Sequence, residues 1–512
     1  MTTRIARRHF LMGSLAGAAL AAPFGIVRGA TVTFGDDPFT LGVASGCPRK
    51  DRVILWTRLA PRPLEDGGMP DAPVEVEWQV AEDEKFERIV ADGTERATSE
   101  LAHSVHAEAR GLLPDHVYWY RFRAGTSVSP VGRTRTAPSG QKARVRLAFA
   151  SCQQYEQGWF GAYRDMATHD LDLVVHLGDY IYERSWGSRH VRKHGVGIPT
   201  TLPEYRNRYA LYKTDADLQA AHAAFPWLSI WDDHEVTDDY ANDRSYTVRD
   251  AAQFMKIRAA AYQAYYEHMP LPASARPRGP DATIYEHYRF GDVMDVLLLD
   301  DRQFRSVSAC VNGGRPTWIV PCAERIEETR TMLGRAQEKW FDARLGDCRA
   351  RWTIVAQQTL MAQDRRSADD GERYWMDGWD GYPNARRRLL DALVAHKTRN
   401  PIVIGGDRHA FFAGHLKRDF TRPEEATVAT EFVGTSITSD GPGEASTRKA
   451  LADNPHLAFA RGDKRGYATV ELDAKTCTVG FEAVDDVKDS KSSVRRLATF
   501  VVEDGTRGPK AI

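Results

Sequence analysis

The chain has 512 residues, with 69 Lys and Arg against 70 Asp and Glu, for a net charge of −1. That length provides for two or three domains. The balanced charge excludes a general nucleic-acid binder, whose contact face needs a basic excess.

In chain order, the first feature is the pair Arg7-Arg8, followed by His9-Phe10-Leu11-Met12 and an Ala- and Gly-rich apolar stretch over residues 15–24. The stretch is too short and too mildly hydrophobic to span a bilayer, so residues 1–30 read as a signal peptide. It resembles a twin-arginine signal. Export by the twin-arginine translocation machinery would follow folding and would leave a periplasmic or secreted protein with no transmembrane anchor. Residues 38–137 read as strands and turns: Val53-Ile54-Leu55-Trp56 is β-rich and residues 74–80 alternate with period two. A turn at Gly111-Leu112-Leu113-Pro114, then the aromatic run Tyr118-Trp119-Tyr120-Arg121-Phe122, predicts a small all-β sandwich of fibronectin or immunoglobulin type. Thr136-Ala137-Pro138-Ser139-Gly140 reads as a linker.

Residues 143–490 change to alternating strand and helix, which predicts an α/β domain built on central mixed sheets. Val145, Leu147 and Phe149 alternate on a strand, Phe160, Tyr163 and Met166 follow at helical spacing, and a second apolar strand begins at Leu173. Further strands are expected near 227–231, 296–299, 354–356 and 402–404, with helices over 249–268 and 334–344. Six cysteines are too few for a disulfide scaffold. Cys310 and Cys322, which flank a Gly-Gly-Arg-Pro loop, are the pair expected to bond after export. Arg386-Arg387-Arg388 reads as an exposed helix turn, residues 379–383 as pocket wall, 491–512 as a C-terminal extension, and the last dozen residues as a loose tail.

Four apolar runs end in ligand-type residues: Cys152; Asp179 with Tyr182 three residues on; Asp232-Asp233-His234-Glu235; and Gly405-Gly406-Asp407-Arg408-His409. In open α/β sheets, sites form at the carboxyl ends of strands, so these scattered positions are expected to converge. Asp179 follows Gly178, which frees the backbone to turn off its strand. A carboxylate there can bridge two cations. Cys152 as thiolate and Tyr182 as phenolate favour a strongly Lewis-acidic ion, and His409 adds an imidazole. Asp233 and Asp407 offer hard oxygens that suit Ca²⁺, Mg²⁺ or Mn²⁺. His234, among acidic neighbours, is the candidate phosphate binder or general acid. A buried free thiol at Cys152 and a solvated loop acid at Asp238 are the alternatives for those two positions.

These motifs resemble the PhoD family. Gly-Asp-x-x-Tyr is like a purple acid phosphatase motif, and Asp-Asp-His-Glu and Gly-Asp-x-His are like motifs of calcineurin-type metallophosphoesterases. Ser-Cys replaces their early Asp-x-His. Leu299-Asp300-Asp301-Arg302-Gln303-Phe304-Arg305 and Gln357-Gln358-Thr359-Leu360-Met361 also match. The resemblance implies an exported alkaline phosphatase that hydrolyses phosphate mono- or diesters by a metal-bound hydroxide for phosphate acquisition. It implies Fe³⁺ on Cys152, Asp179, Tyr182 and His409, with Asp179 bridging to Ca²⁺ that also uses Asp407. Where the family has Asn-Asn, this chain has Asp238-Asp239, which places the second-site metal in question. A phospholipase D-like or wall-polymer phosphodiesterase, and a surface-binding protein with a structural metal, are the competing expectations.

Overall fold

The computed structural model describes residues 33–369 and 371–512, so the signal-peptide reading of residues 1–30 lies outside the described residues. Two large mixed sheets organise the chain, one of ten strands and one of seven. The ten-stranded sheet has four parallel strands at its centre, Arg144–Ala150, Leu173–His176, Pro226–Ser229 and Val43–Gly46. The seven-stranded sheet has four: Met294–Leu298, Trp352–Ala356, Pro401–Gly405 and Ala429–Val433. This is the mixed-sheet α/β architecture that the alternating pattern predicts.

The four parallel strands of the second sheet are buried along their whole length, as strands covered on both sides must be. Ile354 and Ile402 enter a core shared with Leu147, Phe149 and Val175 of the ten-stranded sheet. Their chain neighbours Val355 and Val403 point the other way, to Phe341, Leu389 and Leu390. Those residues come from the helices Gly334–Asp347 and Pro383–Ala395. Period-two alternation therefore sorts one apolar run into two cores. Each fully buried aliphatic chain stabilises the fold by roughly 1.5–3 kcal/mol, so a charge at Ile402 would part the two sheets.

Val43–Gly46, Arg52–Arg58 and Ser104–Arg110 do not stand apart from this framework. They extend the ten-stranded sheet, with Val43–Gly46 pairing in parallel with Pro226–Ser229. A separate five-stranded sheet that includes Val74–Ala81 and Val117–Ala124 shares a core with them, made of residues such as Val53, Leu55, Val76, Tyr120 and Phe122. The all-β region is thus two layers, one of which continues into the main sheet.

Three expectations need correction. The last dozen residues are not a loose tail: Val494–Glu503 pairs along Thr476–Val484, and Lys510–Ala511 adds to its outer side. Phe500 and Val502 alternate into the core, a period obscured in sequence by the apolar Val501 between them. Arg386 is not exposed; it is buried and paired with Asp380 at 2.8 Å. Trp379 is buried with its indole nitrogen donating to Gln357 at 3.0 Å, and it walls a cavity of about 380 Å³ beside the helices Gly334–Asp347 and Pro383–Ala395 rather than the one described next. The Cys310–Cys322 disulfide is present, and Cys47, Cys152, Cys348 and Cys477 are free.

Candidate metal centre

The carboxyl ends of strands from both sheets meet at one edge, where Ser151 and Ser436 form a parallel bridge between them. The residues that leave these strand tips share an unusual backbone. Cys152, Asp179, Asp407 and His409 have φ of 60°, 56°, 60° and 50°. Left-handed geometry in residues with a Cβ costs about 1–3 kcal/mol each and persists where the surroundings impose it. Here it turns each side chain sharply off its strand and across the sheet edge. Gly178, at φ 102°, makes the turn before Asp179; a Cβ there would lie 2.4 Å from that of Asp232.

The four tips converge. Ligand-type atoms of Cys152, Asp179 and His409 all lie within 4.8 Å of one another. The Tyr182 hydroxyl donates to Asp179 at 2.7 Å and lies 3.2 Å from Nε2 of His409. Asp232, Asp233 and Asp407 make a second group on the same distance criterion, and Asp179, Asp233 and His234 a third that joins the first two. Asp238 belongs to a group with Asp233 and Asp239, but its carboxylate also meets Arg184 at 3.0 Å and Arg315 at 3.2 Å. Every residue singled out at this edge from sequence therefore lies in one contiguous site, with Asp238 at its rim.

Several residues that hold the site carry no role in the sequence reading. Glu235 is buried and accepts from the backbone N–H groups of Asp179 at 3.1 Å and Asp232 at 2.8 Å, and also from that of Tyr180. It locks two strand-tip turns against each other. Burial pushes its carboxyl up to about 7. Arg302 is buried among the acids: it donates to Asp232, lies 2.7 Å from Asp377 and donates to Asp233 at 3.4 Å. Its signal was its position just beyond the strand Met294–Leu298, a fifth polar strand tip. Glu183, next to Tyr182, lies 2.6 Å from Nδ1 of His234.

The electrostatics follow from burial. The Cys152 thiol and the Tyr182 phenol are raised well above their usual ranges, by burial first and the Asp179 charge second. Asp179 is raised by burial and by Asp233. Asp233 is lowered, because Arg302 and His234 overcome the effect of its burial. His234 moves up: its burial is outweighed by Asp233, Glu183 and Asp179. His409 is pushed down to about 3 by burial and by Arg465. It is therefore a neutral imidazole whose Nδ1 faces the Asp440 carbonyl at 2.8 Å and whose Nε2 faces the cluster. The site opens into a cavity of about 530 Å³ lined by Asp179, Asp233, His234, Asp407 and His409.

The family model of the PhoD-like phosphatase matches residues 147–481, and that of the PhoD-like phosphatase N-terminal domain matches residues 26–138. The chain belongs to the PhoD-like phosphatase family. It is 43% identical over 523 residues to alkaline phosphatase D of Bacillus subtilis (strain 168), covering 99% of this chain and 89% of that protein. It also superposes on a solved structure titled "Structure of PhoD" with a TM-score of 0.90 and 44% identity, covering 94% of this chain and 93% of that one. This PhoD-like phosphatase is accordingly a hydrolase of phosphoric ester bonds.

In a PhoD-like phosphatase the donor set must suit cations, and this one does. Buried carboxylates crowd together at the strand tips, and Oδ2 of Asp232 has no hydrogen-bond partner among the described residues. Burial first, and repulsion from neighbouring carboxylates after it, drives Asp179, Asp232 and Asp407 toward the neutral acid; positive ions would restore the charged form. Thiol, phenol, imidazole and carboxylate together form a soft-to-hard donor gradient across the site.

Proposed function

We propose that this PhoD-like phosphatase is exported by the twin-arginine route, to a periplasmic or secreted location, and releases phosphate from mono- and diesters for phosphate acquisition. Fe³⁺ and Ca²⁺ are the proposed resident cations, with Mn²⁺ or Mg²⁺ as substitutes at the second site. Cys152, Asp179, Tyr182 and His409 would hold the iron, and Asp179, Asp233, Asp238 and Asp407 the calcium. Cations bound there supply a lowered pKa for water and neutralise charge on the phosphoryl oxygens. The all-β region over 38–137 is proposed to be a fibronectin- or immunoglobulin-like layer, and 143–490 the catalytic domain with 491–512 as its extension. Among the described residues no helix is long and apolar enough to cross a membrane.

The chain's own contribution begins with His234. Glu183 accepts from its Nδ1, so Nε2 is presented on the opposite side of the ring. From there it donates a proton to the departing alkoxide. Asp179 lies 3.4 Å from the backbone nitrogen of His234, so the same carboxylate orients the acid and serves the metal cluster. Arg302, fixed by Asp232 and Asp377, holds Asp233 in its ionised form.

The observation that carries the reading is the meeting of Cys152, Asp179 and His409 within 4.8 Å, from three different strand tips. Elemental analysis of protein purified without added metal tests it, together with turnover of p-nitrophenyl phosphate and bis-p-nitrophenyl phosphate. Iron near one per chain and calcium-dependent turnover, both lost in Cys152→Ala and Asp179→Ala, are expected. Stoichiometric metal in folded protein that cleaves neither ester would instead favour a binding protein with a structural centre.

A further inference from the structure

The role of His234 fixes where the leaving group lies. A proton donor stands within hydrogen-bond reach of the oxygen it protonates, so the rest of the departing alcohol rests against whatever flanks the imidazole. Trp186 stacks on that ring, with centroids 5.3 Å apart and planes 19° from parallel. Two more indoles, Trp318 and Trp375, line the same cavity. They belong to a three-stranded sheet separate from the two large ones. There they sit directly opposite each other on antiparallel strands, with ring centroids 5.8 Å apart. Arg408 lies over both rings, at 5.4 and 5.1 Å, which fixes them by cation–π attraction. Nε1 of Trp375 is shielded from solvent yet has no hydrogen-bond partner among the described residues.

Trp318 reaches the cavity on the loop closed by the Cys310–Cys322 disulfide. The same loop is tied to the site by Arg315, which donates to Asp239 at 2.8 Å and to Asp238 at 3.2 Å. Phosphoryl chemistry needs none of these indoles. Arg366 also lies over Trp318 at 4.7 Å, and the half-buried indole surface left toward the cavity suits flat rings, which bind by stacking and dispersion.

We propose that Trp186, Trp318 and Trp375 form a leaving-group subsite for a planar aromatic ring, so that the preferred substrates are phosphate esters whose alcohol carries one. The proposal rests on the phosphatase reading of this cavity. The disulfide keeps Trp318 at the wall.

The test measures KM of the holoenzyme for 2-naphthyl phosphate, n-decyl phosphate and glycerol 2-phosphate, in the wild type, the double variant Trp318→Ala/Trp375→Ala and the double variant Cys310→Ser/Cys322→Ser. The wild type is expected to prefer the naphthyl ester in KM. The tryptophan variant should shrink the ratio of glycerol to naphthyl KM on the order of tenfold, and the cysteine variant should move it the same way. Melting temperatures confirm that the variants are folded. An unchanged ratio in folded variants overturns the proposal, and so does an equal loss with the decyl ester, which would mark a generic apolar wall. Should the wild type cleave no ester, the phosphatase reading fails on its own. Calorimetric titration with 2-naphthyl phosphate then decides the subsite: saturable binding weakened in the tryptophan variant upholds it, and no binding by the wild type ends it.

Discussion

Nδ1 of His234 lies 2.6 Å from the carboxylate of Glu183, whose other oxygen accepts from the backbone N–H of Asp238 at 3.0 Å. One acid thus fixes both the orientation of the proposed proton donor and the turn that carries the rim carboxylate. Glu183→Gln keeps the shape but removes the charge that favours imidazolium. Turnover is expected to fall about 10- to 100-fold, with kcat affected more than KM and the metal content unchanged. Steady-state kinetics beside elemental analysis separate this from loss of the centre.

Arg302→Gln removes the guanidinium among Asp232, Asp233 and Asp377. Breaking a buried ion pair by removing one partner costs about 3–5 kcal/mol. Cations bound at the proposed site would compensate the same carboxylates, so metal-free protein should lose more stability than loaded protein. Denaturant titrations with calcium and with chelator check this; equal losses would show that the arginine and the metals act on different charges.

Lys213 is buried over the Trp56 ring, 4.2 Å from its centroid, and burial pushes its amine down to about 7. In the unfolded chain the amine keeps its proton up to its ordinary value of 10.5. Between these two values unfolding takes up a proton, so this residue's contribution makes stability rise with pH across that window. Below it, both states are protonated and the cost of burying the charge is constant. Lys213→Met should therefore stabilise the protein at pH 7 by on the order of 2 kcal/mol, part of the penalty being offset by the indole. The gain should shrink toward pH 10, as chemical denaturation at the two pH values would reveal.

Replacing Arg7 and Arg8 together by lysine is expected to retain the full-length precursor inside the cell while leaving its folded activity intact. Fractionation followed by a phosphatase assay reads this directly. Equal export of the variant would remove the twin-arginine assignment.

Much of the site was legible because each chemical group follows an apolar strand, and a strand tip is where the chain can turn a side chain outward. Cys152, Asp179, Asp233 and His409 announce themselves in this way. Arg302 also follows a strand, but an arginine after two aspartates reads as an ordinary surface turn; only the fold places it among Asp232, Asp233 and Asp377. Glu235 was visible as part of a motif, yet its work is on the backbone N–H groups of Asp179 and Tyr180, distant in sequence, as well as on that of nearby Asp232. The continuity of Val43–Gly46 with Pro226–Ser229 was hidden for the same reason. Parallel pairing across nearly two hundred residues leaves no local trace, whereas Phe500 and Val502 did leave one that the apolar Val501 between them masked.

The strand order of the ten-stranded sheet also bears on when the protein can become complete. Its central strand Arg144–Ala150 is covered on one side by Arg465–Asp473, and Val494–Glu503 lies further out in the same direction. A ribosome must therefore have made almost the whole polypeptide before that flank is closed. Until then a hydrophobic strand edge stays open to other chains. Closure of that flank waits on the strand Arg465–Asp473, and the interval before it is when chaperones and competing aggregation have their opportunity.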